Sequence, residues 1–335
     1  MSKDYDFIAI GDITTDAFIR LKNASVHCDV DRENCEICMT FGDKIPYDFV
    51  EVVRAVGNSP NAAVSATRLG LTSALVSNLG DDENGRECLD TLKKNGVSLE
   101  FMRVHENKKT NYHYVLWYED ERTILIKHEE FDYSLPQLGA VKWIYLSSMG
   151  STSENFHREI ADYLVRHPDV KLAFQPGTFQ FKLGYKKLRT IYEHTEVFFC
   201  NVNEAHRVLE KEGKIEIIEL LKGIHGLGPK IVVITDGAKG AYTYDGNSAY
   251  FMPPYPDPNP PFERTGAGDA FASTFTSALV LGKGAEEALM WAPINSMAVV
   301  QQIGAQKGLL TREQLEKYLK DAPESYKPKA LGLGI

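Results

Sequence analysis

The chain has 335 residues, 43% of them hydrophobic and 10% aromatic, which is enough apolar material for a globular core and argues against disorder. Its formal net charge of −9 argues against general binding to nucleic acid or to an anionic membrane, because neutralising phosphates requires concentrated Lys and Arg. No run of about 18 apolar residues occurs, and no basic stretch followed by an apolar core opens the chain. We therefore expect a cytoplasmic protein that binds neither nucleic acid nor membrane.

Five cysteines, an odd number, favour a reducing compartment over a disulfide scaffold. His27, Cys28, Cys35 and Cys38 lie close together and could supply four zinc ligands. The spacing from Cys28 to Cys35 matches no common zinc motif, so free thiols are the preferred interpretation and zinc is a minor hypothesis. These residues belong to the segment 21–50, which is polar and long for a connection and predicts an insertion or part of a lid.

The first predicted element in the chain is a buried strand at residues 7–10. Asp12 and Asp16 lie just beyond it, and a carboxylate there either caps a loop or accepts hydrogen bonds from a hydroxylated ligand. Gly57 and Asn61 precede an apolar helix. Asn61 offers a donor and an acceptor to a substrate, or it caps that helix.

Residues 112–127 contain two strand-forming runs joined by a polar turn, which predicts a hairpin. The hairpin is either a lid or an ordinary sheet edge, and its aromatic residues would also suit a dimer surface. Tyr112, Tyr114 and Trp117 could stack on a base or form the core of a lid.

The rest of the chain alternates between strands and helices. The predicted strands cover residues 143–146, 171–174, 197–200 and 231–234, and the intervening helices include 156–167 and 185–193. Such repeated units predict an α/β fold with a doubly wound, mostly parallel sheet flanked by helices. A further helix is predicted from Ala285 to Gln302.

Gly266, Ala267 and Gly268 precede a long apolar helix, and Asp269 lies in its first turn. Glycines let backbone N–H groups face an anion, and the helix dipole favours negative charge at this end. Asp269 is well placed to act as a base beside that anion. Taken alone, however, a G-x-G-D pattern is explained more simply by a tight turn and a first-turn acid.

The sequence T-G-A-G-D-A-F at residues 265–271 resembles the signature of the ribokinase-like (PfkB) sugar and nucleoside kinases. Four other motifs resemble that family in the same order, namely G-D-x-x-x-D, the G-x-x-x-N with Val56 in place of a preceding glycine, N-x-x-E and T-x-G-x-x-G. The resemblance implies a single ribokinase-like domain over residues 1–335, with lid strands within about 12–56 and 108–130. The aromatic residues of the 112–127 hairpin predict a homodimer that forms through the lid.

The resemblance further implies a role for individual residues. Gly266, Ala267 and Gly268 would hold the transferred phosphoryl group while Asp269 deprotonates the acceptor hydroxyl. The implied substrate contacts are Asp16, Gly57 and Asn61, the nucleotide contacts are Asn201, Thr235, Gly237, Gly240 and Asn295, and Glu204 would organise Mg²⁺ through water. Glu263 and Arg264 stand where the family often has Asp-Thr beside a monovalent-cation site, so dependence on such a cation stays open.

We therefore expect a kinase that uses ATP and Mg²⁺ to phosphorylate a hydroxyl of a sugar, in the manner of a ribokinase or fructokinase, and we expect that hydroxyl to be primary. A nucleoside kinase of the adenosine type is the alternative within the family. A non-catalytic sugar-binding relative is a third hypothesis, and it would have no chemical need for Asp269.

Overall fold

The computed structural model describes residues 4–28, 35–119 and 121–332. Within them the strands are β1 (Tyr5–Ile10), β2 (Thr14–Leu21), β3 (Ser25–Cys28), β4 (Cys35–Cys38), β5 (Tyr47–Val56), β6 (Ser73–Gly80), β7 (Met102–His105), β8 (Asn111–Tyr118), β9 (Glu121–Leu125), β10 (Val141–Leu146), β11 (Lys171–Phe174), β12 (Thr195–Asn201), β13 (Ile231–Thr235), β14 (Ala241–Tyr244), β15 (Ala249–Met252) and β16 (Lys329–Leu331). The helices are α1 (Asn58–Arg68), α2 (Glu83–Lys94), α3 (Glu154–Arg166), α4 (Thr178–Glu193), α5 (Val202–Val208), α6 (Ile217–His225), α7 (Ala267–Val280), α8 (Ala285–Val299) and α9 (Arg312–Lys320). No helix in these ranges combines the length and the apolar character needed to span a membrane.

A ten-stranded sheet forms the centre of the fold, in the order β16-β15-β14-β13-β12-β11-β10-β1-β6-β7. The strands from β13 to β7 in this order pair in parallel, and β14, β15 and β16 extend the sheet in antiparallel fashion. Apolar runs such as residues 7–10 are fully buried, because helices cover both faces of the parallel part. This confirms the predicted doubly wound, mostly parallel architecture.

The two faces of the sheet carry separate cores. Phe7 and Ala9 of β1 pack with the layer formed by α1, α2, α7, α8 and α9, whereas Ile8 and Ile10 pack with the layer formed by α3, α4, α5 and α6. In the first layer, Phe275 of α7 is fully buried. This packing ties α7 to the sheet and so determines where its N-terminus lies.

Four strands form a second, smaller sheet in the order β5-β2-β8-β9, which we call the lid. β2 pairs with β8 in parallel, whereas β5 and β9 pair antiparallel at the two edges. The β8–β9 hairpin lies where one was predicted, and β2 and β5 lie within the first predicted lid segment. The small separate sheet therefore fits the expected lid, while the domain limits of 1–335 stay a prediction.

The segment 21–50 is more regular than predicted. Within it β3 and β4 pair as an antiparallel hairpin, and a disulfide joins Cys28 to Cys35. Residues 29–34, between these strands, lie outside the described residues. The preference for free thiols is therefore wrong for this pair, although Cys38 is free.

The disulfide also affects two other expectations. Cys28 and Cys35 cannot act as thiolate ligands while they are paired, so the zinc hypothesis is wrong. In the described ranges, no three or more His, Cys, Asp or Glu side chains come together in a way that could hold a metal ion. The cytoplasmic location stays a prediction, with a weaker argument from cysteine usage.

α4 and α8 differ more from their predicted bounds than α3 does. α4 begins at Thr178, because an additional turn joins the predicted helix through Gly184, whose φ is 75°. This turn brings Phe179 to within 6.0 Å of His128, measured between ring centroids. α8 ends at Val299, a few residues before the predicted end.

Candidate active site

The site lies at the edge of the central sheet where its parallel strands end. Asp12, Gln175, Asn201 and Thr235 stand at or just beyond the ends of β1, β11, β12 and β13. The carboxyl ends of parallel strands share one edge, and ligands of such sheets bind in the crevice outside it. α7 begins at this crevice, with Gly266 as its N-cap.

Gly266, Ala267 and Gly268 form the turn into α7, which we call the anion turn. Gly266 has a φ of 79°, which residues with side chains rarely adopt, and a Cβ atom there would lie 2.2 Å from the Cβ atom of Ala305. Gly268 is exposed, and a Cβ atom there would have no neighbour within 4 Å. Since the N–H groups of a first helical turn lack intrahelical acceptors, the turn presents an accessible site for an anion.

Asp269 follows the anion turn and is partly exposed. Asn58 donates from Nδ2 to its Oδ1 at 2.8 Å, and Asn61 donates from Nδ2 to its Oδ2 at 2.8 Å. Gln175 donates from Nε2 to Oδ1 at 3.3 Å, while its own Oε1 accepts the hydroxyl of Tyr145. Three neutral donors therefore orient the carboxylate without forming an ion pair with it.

The environment of Asp269 changes its basicity. Burial raises the pKa of the carboxyl above its usual range, and the hydrogen bonds from Asn61, Gln175 and Asn58 lower it, as does the charge of Arg122. The net shift of the pKa is upward. A carboxylate with a raised pKa is a stronger base than one with an ordinary pKa, and the three donors stabilise its ionised form.

A second polar group lies where β1 leads into the lid. His113 Nδ1 is 3.3 Å from Oδ1 of Asp16, and His128 Nδ1 is 3.4 Å from Oδ2 of Asp12. The hydroxyl of Tyr133 donates to Asp12 at 2.9 Å from Oδ1 and 3.1 Å from Oδ2. The imidazole rings are 5.2 Å apart. Two carboxylates, each beside a histidine from the lid segment, thus form an acceptor-rich surface.

Two predicted substrate residues have structural partners of their own. Gly57 has a φ of 120°, and a Cβ atom there would lie 2.8 Å from the main-chain oxygen of Asp12. Asn61 accepts from Gln306 Nε2 at 3.0 Å while it donates to Asp269. Gly57 therefore permits a close approach of two loops, and Asn61 orients the carboxylate.

A cleft of about 490 Å³ adjoins the anion turn. It is lined by the predicted nucleotide residues Thr235, Gly237 and Gly240 together with Ala267 and Gly268. Arg264 also lines it and is exposed. The structure thus brings three predicted nucleotide residues to the anion turn, and it places Arg264 in the cleft wall.

Asn201 and Glu204 cap the start of α5. Asn201 Oδ1 accepts from the N–H of Glu204 at 2.9 Å, and Glu204 Oε2 accepts from the N–H of Asn201 at 2.8 Å. Burial raises the pKa of Glu204, the bond from Asn201 lowers it, and the charge of Asp269 raises it. The two side chains thus cap α5, and Glu204 also lies close enough to Asp269 for the two charges to interact.

Asn295 does not reach the cleft. Its side chain is fully buried, donates to Thr274 Oγ1 at 2.8 Å and accepts from the N–H of Leu310 at 2.9 Å. Both ends of the amide are thus used to join α7, α8 and the segment before α9. This corrects the prediction that Asn295 contacts the nucleotide.

Sequence reasoning missed several residues of the site, namely Asn58, His113, His128, Tyr133 and Gln175. Gln175 directly follows a predicted buried strand, and this position could have identified it. Asn58 lies inside the G-x-x-x-N motif, between the predicted residues Gly57 and Asn61. His113, His128 and Tyr133 carry no comparable signal, because they approach the site through pairing of the lid strands or through contacts between distant segments.

Comparisons with known proteins agree with this geometry. Residues 37–312 match the pfkB family carbohydrate kinase. The ribokinase of Bacillus subtilis (strain 168) is 30% identical over 268 residues, which cover 78% of this chain and 87% of that protein. A nucleoside kinase of Methanothermobacter thermautotrophicus is 23% identical over 92% of this chain and 94% of its own length. The structure of Arabidopsis thaliana ribokinase complexed with ribose and ATP superposes with a TM-score of 0.78 at 20% identity, covering 95% of this chain and 99% of that one.

The two glycines of the anion turn are expected to differ in their tolerance of a side chain. Gly266→Ala should lower the free energy of unfolding by more than about 1 kcal/mol, because of its positive φ and the contact with Ala305. Gly268→Ala is the matched control and should change it by less. Urea denaturation measures both, and equal midpoints for the two variants would contradict the assigned geometry.

Proposed function

The chain belongs to the pfkB family of carbohydrate kinases, and we propose that it transfers the γ-phosphoryl group of ATP to a primary hydroxyl of a sugar, as a ribokinase or fructokinase does. The observation that carries the proposal is the position of Asp269 within one helical turn of the anion turn, beside the cleft lined by Thr235, Gly237 and Gly240. Phosphoryl transfer depends mainly on positioning and on electrostatic stabilisation, and this arrangement supports both.

In this proposal Asp269 accepts the proton of the attacking hydroxyl. The carboxamides of Asn58, Asn61 and Gln175 hold its oxygens in place. The N–H groups at the start of α7 face the negative charge that develops on the transferred group. The chain thus contributes an oriented base and a fixed dipole, and neither needs to rearrange during the reaction.

The nucleotide would lie in the cleft beside the anion turn, near Thr235, Gly237 and Gly240. The charge of Arg264 at the cleft wall suits its phosphates. The Oε2 atom of Glu204 accepts from the N–H of Asn201. Glu204 is suited to contact Mg²⁺ through a water molecule, because Mg²⁺ keeps several waters and takes few carboxylate ligands. Bound there, Mg²⁺ would neutralise phosphate charge.

The acceptor-rich surface formed by Asp12 and Asp16 favours an uncharged sugar as the substrate. Asp12 and Asp16 can accept hydrogen bonds from hydroxyl groups, and their ion-pair partners among the described residues are His128 and His113. Two carboxylates without a Lys or Arg partner would repel the phosphate of a sugar phosphate or the carboxylate of a sugar acid. We therefore propose a neutral polyhydroxylated acceptor.

A nucleoside kinase is the second candidate. The aromatic ring of Phe179, next to His128, could stack on a base. Tyr112 and Tyr114, with ring centroids 5.2 Å apart, alternate with His113 along β8 and therefore lie on the face of the strand away from Asp16. Trp117 is unsuitable because its indole is buried against Phe262. A non-catalytic relative would not require the oriented carboxylate of Asp269.

A panel of acceptors should separate these candidates. We expect ADP release in a coupled assay to be fastest with a neutral sugar such as ribose or fructose, slower with adenosine, and slowest with sugar acids and sugar phosphates, because Asp12 and Asp16 repel anions. The highest kcat/KM with a nucleoside would favour the second candidate. Tight sugar binding with no ADP release from any acceptor would favour a non-catalytic protein.

Replacing the proposed base tests the role of Asp269. Asp269→Asn should lower kcat by about 10²- to 10⁴-fold, because the amide cannot accept the hydroxyl proton. ATP binding, measured by calorimetry, should persist. Asp81→Asn, at an exposed carboxylate outside the site, is the matched control and should keep full activity.

The pH dependence gives a second readout of the same role. Below the raised pKa of Asp269 the carboxyl is protonated and cannot act as a base, so kcat should fall on the acid side with a midpoint above 3.8, the ordinary value. If Asp269→Asn kept the kcat of the wild-type enzyme, the assignment of Asp269 as the base would be contradicted.

We also propose that two copies associate through the lid. Tyr114 of β8 and Leu125 of β9 lie opposite each other and are 49% and 52% exposed. Tyr47 and Val50 of the edge strand β5 are exposed as well. An exposed apolar face on a sheet with a free edge fits a second copy of the same surface.

The dimer proposal predicts a change in mass. Leu125→Lys should shift the protein from dimer to monomer in size-exclusion chromatography with light scattering, since it places a charge in the apolar face. Val165→Lys, on an exposed apolar residue of α3, is the matched control and should leave the dimer intact. A wild-type protein that is monomeric at micromolar concentration would overturn the proposal.

A further inference from the structure

The end of the lid contacts the segment that leads into the anion turn. Trp117 of β8 lies opposite Arg122 of β9 in the lid hairpin. The indole of Trp117 is 3% exposed and packs edge-on against Phe262, with ring centroids 5.2 Å apart. Phe262 immediately precedes Glu263. An apolar contact therefore holds this end of the lid hairpin against the residues just before the anion turn.

Glu263 is a buried carboxylate, only 3% exposed. Its Oε1 accepts hydrogen bonds from the N–H of Thr265 at 2.7 Å and from the hydroxyl of Thr265 at 2.5 Å. Its Oε2 is buried and has no hydrogen-bond partner within the described part of the chain. An ionised carboxylate in such a position is unfavourable unless an opposite charge lies nearby.

Arg122 brings that opposite charge from the lid. Its Nη1 lies 3.5 Å from Oε1 of Glu263, and its side chain is 25% exposed. At this distance the interaction is mainly electrostatic. The charge of Arg122 also acts on Asp269, the proposed base. Burial raises the pKa of Asp269, whereas its hydrogen bonds and the charge of Arg122 lower it.

We propose that Arg122 is a positioning residue, an inference that rests on the proposed phosphoryl transfer. Its guanidinium neutralises Glu263, and Glu263 in turn holds Thr265 and the anion turn in the geometry that receives the phosphoryl group. An open lid would withdraw this charge. Closure of the lid therefore excludes water and completes the anion turn in one step.

The activity test compares two arginines of the lid. Arg122→Ala should lower kcat by about 10²-fold, because the turn loses its geometry, and added guanidinium should restore part of the loss. Arg20→Ala is the matched control: Arg20 stacks on Trp117, with its guanidinium carbon 4.4 Å from the ring centroid, but forms no ion pair with Glu263 among the described residues. It should keep most of the activity.

Three results of the activity test would overturn the inference. The first is a loss of kcat in Arg122→Ala that added guanidinium does not relieve. The second is an equal loss of kcat in Arg20→Ala. The third is a wild-type enzyme that is inactive when K⁺ is replaced by tetramethylammonium. The last result would mean that a monovalent cation, and not Arg122, neutralises Glu263. Wild-type activity that is independent of K⁺ supports the inference.

A stability test separates this inference from the proposed function, because it needs no turnover. Arg122→Ala should lower Tm by leaving Glu263 unpaired, and adding Glu263→Gln to that variant should raise Tm again, since the buried charge is then absent. A double variant that unfolds at or below the Tm of Arg122→Ala overturns the pairing, whatever the acceptor panel shows.

Discussion

Three carboxamide groups donate hydrogen bonds to the carboxylate of Asp269, and they come from α1 and from the end of β11. Burial disfavours the charged form of this carboxylate. The three donors favour the charged form, but being uncharged they do not neutralise the carboxylate. A Lys or Arg in their place would hold the charge more tightly and make the group a weaker base. α1, β11 and α7 thus meet at one carboxylate, and its proposed role as a base depends on the donors that α1 and the end of β11 supply.

The crevice contains several acidic side chains, and each is stabilised in a different way. Asp12 accepts from Tyr133, Glu204 takes part in the cap of α5, and Glu263 pairs with Arg122. A site with this much negative charge can receive phosphates only where positive charge or dipoles are concentrated. The start of α7 and the side chain of Arg264 provide that region within an acidic protein.

The lid is part of the site as well as a cover for it. Its segment brings His113 and His128 to Asp16 and Asp12, and Arg122 to Glu263. One small sheet thus contacts both the acceptor surface and the segment before the anion turn. The lid and the central sheet are therefore separate sheets, but residues from both form the crevice.

The sequence by itself determined the features that depend on local pattern. Apolar runs predicted the buried strands, alternation predicted the lid hairpin, and glycines before an apolar helix predicted the turn that places Asp269. The tertiary structure decided which side chains meet. Asn58 and Asp269 are 211 residues apart, and although the resemblance assigns the neighbouring Gly57 and Asn61 to the same site, no local pattern shows which side chain contacts the carboxylate. The disulfide of Cys28 and Cys35, the burial of Asn295 and the pairing of Arg122 with Glu263 depend in the same way on the folded chain, because a local pattern reports periodicity and turns but not the partners that long-range packing brings together.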